Sequence, residues 1–148
     1  MITLSRLSPS SPPQSLILRT VFILFKLARY IALQLDTNSN LGIRIKTISG
    51  DTGSVKGVTY KSIVLSGITE YGIIVNQAYD GTAGKPTTGV PITDFILDDI
   101  SGSVESGAYE LYIECGDGSC SDWTWTDVSL SGSDQDNYCL NVPSGIDC

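Results

Sequence analysis

Two cations, Arg44 and Lys46 in the run IRIKTI (43–48), are the residues whose type and spacing suit them best to chemistry. If that run is a strand, its side chains alternate, so Ile43, Ile45 and Thr47 share one face and Arg44 and Lys46 the other. Two steps along a strand span about 7 Å. An Arg fork can grip a carboxylate through two parallel hydrogen bonds, and a Lys adds a compact point charge. The pair could therefore hold an acidic ligand, or it could be an ordinary solvated strand face. The second chemically capable pair is Asp98 and Asp99. Neighbours on a strand point to opposite faces, which suits solvated residues at a turn edge better than an acid working with a base.

The elements that must position these residues are short and apolar. IRIKTI (43–48), VTYKSIVLSGI (58–68), GIIVNQA (72–78), ITDFILDDISG (92–102), ELYIEC (110–115) and WTWTDVSLSG (123–132) recur between polar turns, and the second, fourth and sixth resemble one another. Alternate segments repeat at loose intervals: Ile43 to Ile73 to Leu111, and Val58 to Ile92 to Trp123. Repeats of about this size built from short strands suit the stacked coils of a parallel β-helix. A sandwich of antiparallel hairpins would give strands of similar length.

Composition fits an all-β globular body, with 41% hydrophobic and 17% charged residues. Charge is uneven: residues 1–40 carry four cations (Arg6, Arg19, Lys26, Arg29) against Asp36, and the remainder carries five cations against fifteen acids. An acidic body of net −10 argues against nucleic acid as a partner, since phosphate recognition needs a basic surface. It also means that a polyanion must be held by locally placed cations.

Residues 1–38 read as a separate, non-homologous piece. Met1–Pro13 is Ser/Pro-rich, and Leu16–Leu35 is apolar with Arg19, Lys26 and Arg29 on one face if the stretch is helical. Three cations make a membrane span costly, and Arg19 splits the apolar run that a secretory signal would need. Such a helix could instead cover the first coil at Ile43.

All four cysteines, Cys115, Cys120, Cys139 and Cys148, fall in the last 34 residues. Four cysteines allow three disulfide connectivities. The x4, x18 and x8 spacings match no common zinc pattern and the chain has no His, so no metal site is expected. Local pairing would clip two short loops, in keeping with an oxidising, extracellular compartment.

NLGIRIKTISGDTGSVKGVTY, SGITEYGIIVNQAYDG, TGVPITDFILDDISGSV, YIECGDGSCSDWTWTDVSLSG and CLNVPSG, in this order, resemble the C-terminal coils of fungal endopolygalacturonases of glycoside hydrolase family 28. The resemblance spans roughly residues 38–148. It implies a right-handed parallel β-helix over 39–148, secretion, hydrolysis of α-1,4-galacturonan in pectin, no cofactor and a monomer. It also supports pairing Cys115 with Cys120 and Cys139 with Cys148. It casts Arg44 and Lys46 as galacturonate-binding cations and places Tyr79 where the family has a tyrosine that contacts sugar. An aromatic ring offers a pyranose a flat apolar face and a hydroxyl. The family's N-T-D, G-D-D and G-H-G catalytic motifs do not occur in these 148 residues, so no catalytic residue is assigned and the chain is expected to be inactive alone. Trp123 and Trp125 share a strand face and are expected to cover the last coil or pack below the Cys115–Cys120 loop, outside the site.

Overall fold

The computed structural model describes residues 34–37 and 39–148. The described residues form nine strands and no helix: β1 (Gln34–Thr37), β2 (Leu41–Ile48), β3 (Val55–Ile68), β4 (Tyr71–Tyr79), β5 (Ile92–Val104), β6 (Tyr109–Glu114), β7 (Cys120–Ser121), β8 (Thr124–Ser131) and β9 (Tyr138–Leu140), of which β2, β3, β4, β5, β6 and β8 are the six apolar runs of the sequence. They form two sheets. One holds β1, β3, β5 and β7, with β8 also pairing β5; the other runs β2, β4, β6, β9. Every pairing is parallel, which removes the hairpin sandwich as an alternative. The chain crosses from one sheet to the other and back, so each circuit stacks on the last: a right-handed parallel β-helix.

The interior is a column of like residues from successive coils. Ile43, Ile73 and Leu111 occupy one level of the four-stranded sheet, as do Ile45, Val75 and Ile113. In the facing sheet Val58 lies opposite Phe95, and Phe95 meets Trp123 of the next coil edge-on at 5.2 Å between ring centroids. Leu65, Ile68, Ile73, Ile92, Phe95, Leu97, Ile100 and Ile113 are fully buried, and each contributes on the order of 1.5–3 kcal/mol.

The long strands β3 and β5 bend around the core rather than running straight. They turn at left-handed residues that stack from coil to coil: Gly57 on Asp94 on Asp122, then Ser62 on Asp99 on Asp127, with φ between 52° and 71°. Asp and Gly adopt this conformation more readily than bulkier residues. Asp99 therefore sits at a corner and is exposed, and Asp98 pairs instead with the Lys61 ammonium of the preceding coil. That contact, first, and the neighbouring Asp98 and Asp99 charges keep the Lys61 ammonium protonated above its ordinary range.

Two expectations need correction. The interval Val58 to Ile92 to Trp123 is out of step: Val55 lies opposite Ile92 and Val58 opposite Phe95, while Ile92 lies opposite Cys120. The segments beginning at Val58 and Trp123 start just after the Gly57 and Asp122 corners, whereas the one beginning at Ile92 starts two residues before its Asp94 corner. The second correction concerns the amino-terminal boundary. Gln34–Thr37 pairs with Ile63–Ser66 of β3, so the coils start before residue 39 and the end of Leu16–Leu35 is strand, drawn in by the open hydrogen-bonding edge of β3. The remaining proposed helical cap lies outside the described residues.

Candidate functional site

The outer face of the four-stranded sheet carries the cations. Along β2 the burial alternates, with Ile43, Ile45 and Thr47 buried and Arg44 and Lys46 half-exposed. Tyr79 comes from the next coil, at the end of β4, where it pairs with Ile48. The three residues converge. The Lys46 ammonium lies 3.1 Å from the centroid of the Tyr79 ring and the Arg44 guanidinium carbon 5.5 Å from it. A cation over a phenol ring is worth about 0.5–2 kcal/mol depending on its desolvation. Arg44 Nε is buried without a hydrogen-bond partner, so the guanidinium keeps donor capacity unused within the fold.

Beyond Arg44 the same face is aromatic, a feature the sequence reading passed over. Tyr71 stacks on Tyr109 and Tyr112 on Tyr138, at 5.8 Å and 4.7 Å between centroids, and Tyr71 meets Tyr112 edge-on at 5.3 Å. These stacks follow from register, because Tyr71 is opposite Tyr109 and Tyr112 opposite Tyr138. Equal spacing from strand to strand would have disclosed them only once the register was known. Burial, followed by the charge of Glu114, pushes the Tyr112 phenol up to about 12. Burial and the Glu70 charge raise that of Tyr71, against the opposing pull of Arg44. The face thus offers two cations beside flat aromatic rings, an arrangement suited to an acidic ligand with apolar faces.

Other candidates lie elsewhere. Asp98 and Asp99 belong to the five-stranded sheet and its corner. Trp123 is buried, donating from Nε1 to the Ile92 carbonyl at 3.0 Å. Trp125 stacks on it at 5.8 Å, and both meet Phe95 edge-on, so the two indoles close the last coil. A cavity of about 440 Å³ at that end is lined by Trp125, Leu130, Glu110 and Asp147 among others, and by none of the three converging residues. Cys115 is bonded to Cys120 and Cys139 to Cys148. Among the described residues no group of three or more His, Cys, Asp or Glu side chains could hold a metal ion, and no helix is long and apolar enough to cross a membrane.

Known proteins match the same stretch of chain. The chain is 59% identical over 111 residues to endopolygalacturonase I of Aspergillus aculeatus, an alignment covering 75% of this chain and 29% of that protein. Probable endopolygalacturonase C of Aspergillus niger is 60% identical over 111 residues, 74% of this chain and 29% of its own length. Probable endopolygalacturonase A of Aspergillus fumigatus is 56% identical over 114 residues, 76% and 31% respectively. The chain therefore spans less than a third of the curated relatives it matches. Residues 33–148, including the strands that carry Arg44, Lys46 and Tyr79, match glycosyl hydrolases family 28, and the chain belongs to that family.

Proposed function

We propose that this chain supplies the substrate-holding coils of a polygalacturonase-type glycoside hydrolase acting on the α-1,4-galacturonan of pectin outside the cell. On this reading Arg44 and Lys46 hold galacturonate carboxylates and Tyr79 completes the subsite. The observation that carries it is the convergence of both cations on the Tyr79 ring from two successive coils. A body of net −10 beyond residue 40 repels a polyuronide at long range, so retention rests on these local charges. Two disulfides within the last 34 residues favour an oxidising compartment.

Hydrolysis needs more than holding. An inverting glycosidase requires one carboxylic acid to protonate the leaving oxygen and an opposed carboxylate to activate water. Asp98 is committed to Lys61 on the other sheet, and Asp99 occupies a left-handed corner, so neither suits that work. The 148 residues alone are accordingly proposed to bind galacturonan weakly without cleaving it.

Calorimetric titration of the chain with oligogalacturonate, beside a reducing-sugar assay on polygalacturonate, tests both halves. Binding that weakens in Arg44→Ala and in Lys46→Ala, with no new reducing ends, is the expected result. Unchanged affinity in both variants removes the site, and turnover lost in Asp98→Asn removes the assignment of a purely binding role.

A further inference from the structure

The two strands that build the site fall out of step between its cation and its ring. Lys46 lies opposite Asn76, but Ile48 lies opposite Tyr79, so Thr47 faces both Gln77 and Ala78. An extra residue in one strand breaks the ladder locally and re-aims the side chains beyond it. Tyr79, two residues past Gln77, is aimed by this bulge.

Gln77 is the residue that holds the bulge in place. It is fully buried. Its Nε2 donates to the Val90 carbonyl at 2.7 Å and to Ser119 Oγ at 3.0 Å, and its Oε1 accepts from the Gly116 amide at 2.9 Å. Cys120 Sγ, bonded to Cys115 and so without a proton, packs 3.4 Å from the same oxygen. The backbone is held as well, since the Gln77 carbonyl accepts from the Thr87 amide at 3.0 Å. Asn76 Oδ1 accepts from the Ala78 amide at 2.7 Å, and the Tyr79 carbonyl accepts from the Ser49 amide at 2.9 Å. Three of the amide's four hydrogen-bonding capacities are filled, two of them by Gly116 and Ser119 inside the Cys115–Cys120 clip.

We propose that Gln77 is a positioning residue that sets the Tyr79 ring over Lys46, and that the Cys115–Cys120 loop acts on the ligand-holding cations through it. A buried amide fixed at both ends cannot exchange places with Ala78, so the bulge cannot migrate. Without the bulge Ala78 would pair with Ile48, which would turn Tyr79 to the other face and uncover Lys46. The consequence for binding rests on the galacturonate reading given above; the geometric part does not.

The test uses the full 148-residue chain labelled at lysine side chains. A ring centred 3.1 Å from the Lys46 ammonium shifts the Lys46 ε-methylene resonance upfield, and that signal reports the contact with no ligand present. Gln77→Met, similar in length but without polar ends, should lose most of the upfield shift and weaken oligogalacturonate binding about ten-fold. Ser119→Ala removes one partner atom, folds, and should move the resonance part of the way. The paired Cys115→Ser and Cys120→Ser change should reproduce the Gln77→Met shift. In a Tyr79→Leu background, Gln77→Met should cost no further affinity. An unmoved Lys46 resonance in folded Gln77→Met overturns the proposal, as does an unmoved one in Ser119→Ala if the first variant fails to fold. A shift present in the wild-type chain and lost in Gln77→Met, when the wild-type chain binds no oligogalacturonate, sustains the positioning role and sinks the galacturonate reading instead.

Discussion

The Lys46 ammonium stands 3.1 Å above the Tyr79 ring, although the two residues are 33 positions apart and sit on different coils. The ring is therefore partly occupied by a cation rather than open as a platform. Substituting either cation should weaken oligogalacturonate binding about ten- to hundred-fold, since a charge-assisted contact is worth about 1.5–3 kcal/mol. Tyr79→Ala should cost less than either, and Tyr79→Phe less again, because the ring face that meets Lys46 remains. Calorimetric affinities of the four variants check the order.

Thr47 carries a buried hydroxyl with no hydrogen-bond partner, at the place where β2 faces the bulge. An unsatisfied buried polar group costs about 1–3 kcal/mol. Thr47→Val keeps the shape and removes the hydroxyl, so urea unfolding should show the variant more stable by about 1 kcal/mol. A less stable variant would mean that the hydroxyl has a partner.

Backbone stacking makes some glycines irreplaceable. A Cβ on Gly102 would lie 1.9 Å from the Leu65 carbonyl oxygen of the coil beneath, at a φ of 134°, whereas one on Gly107 would meet nothing within 4 Å. Gly102→Ala should lose on the order of 1–3 kcal/mol or more, and Gly107→Ala should be close to neutral. Thermal midpoints of the pair decide the comparison.

Tyr112 links the aromatic surface to alkaline stability. Its phenol is pushed up to about 12 from an ordinary 10 by burial and by Glu114. Because the folded value is the higher one, the contribution to stability is complete below pH 10 and is lost as the pH climbs through 12. Denaturant midpoints should therefore fall across that window, and the fall should be shallower in Tyr112→Phe. Tyrosinate absorbance should show a late-ionising component that Tyr112→Phe removes.

Much of this was legible in the sequence because strand alternation is a local property. The inward set Ile43, Ile45 and Thr47 and the outward pair Arg44 and Lys46 followed from period two alone, and the register Ile43 to Ile73 to Leu111 followed from matching apolar runs. What depends on a single residue of offset was not legible. The Asp94 corner, lying inside the segment begun at Ile92, displaced the inferred register of the other sheet by three positions. The bulge at Gln77 and Ala78 leaves no mark in a run that reads as continuous strand. Gln77, polar and fully buried, looks like a surface residue until its partners 39 and 42 positions away are known. Position 98–99 shows the reverse case, where adjacent acids that tempt a catalytic reading are separated by a backbone corner and an ion pair.

The stacked corners also govern where this architecture can change length. Five residues separate one left-handed position from the next in three successive coils: Gly57 and Ser62, Asp94 and Asp99, Asp122 and Asp127. Between corresponding corners the circuit is 37 residues in one coil and 28 in the next. All of that difference is therefore taken up outside the five-residue edge, in stretches such as 80–91 that leave the sheets. An insertion between corners would put one coil out of phase with the coils above and below it, while an insertion in an excursion would leave every ladder intact. New loops, and any new specificity they bring, can enter this fold only at those excursions.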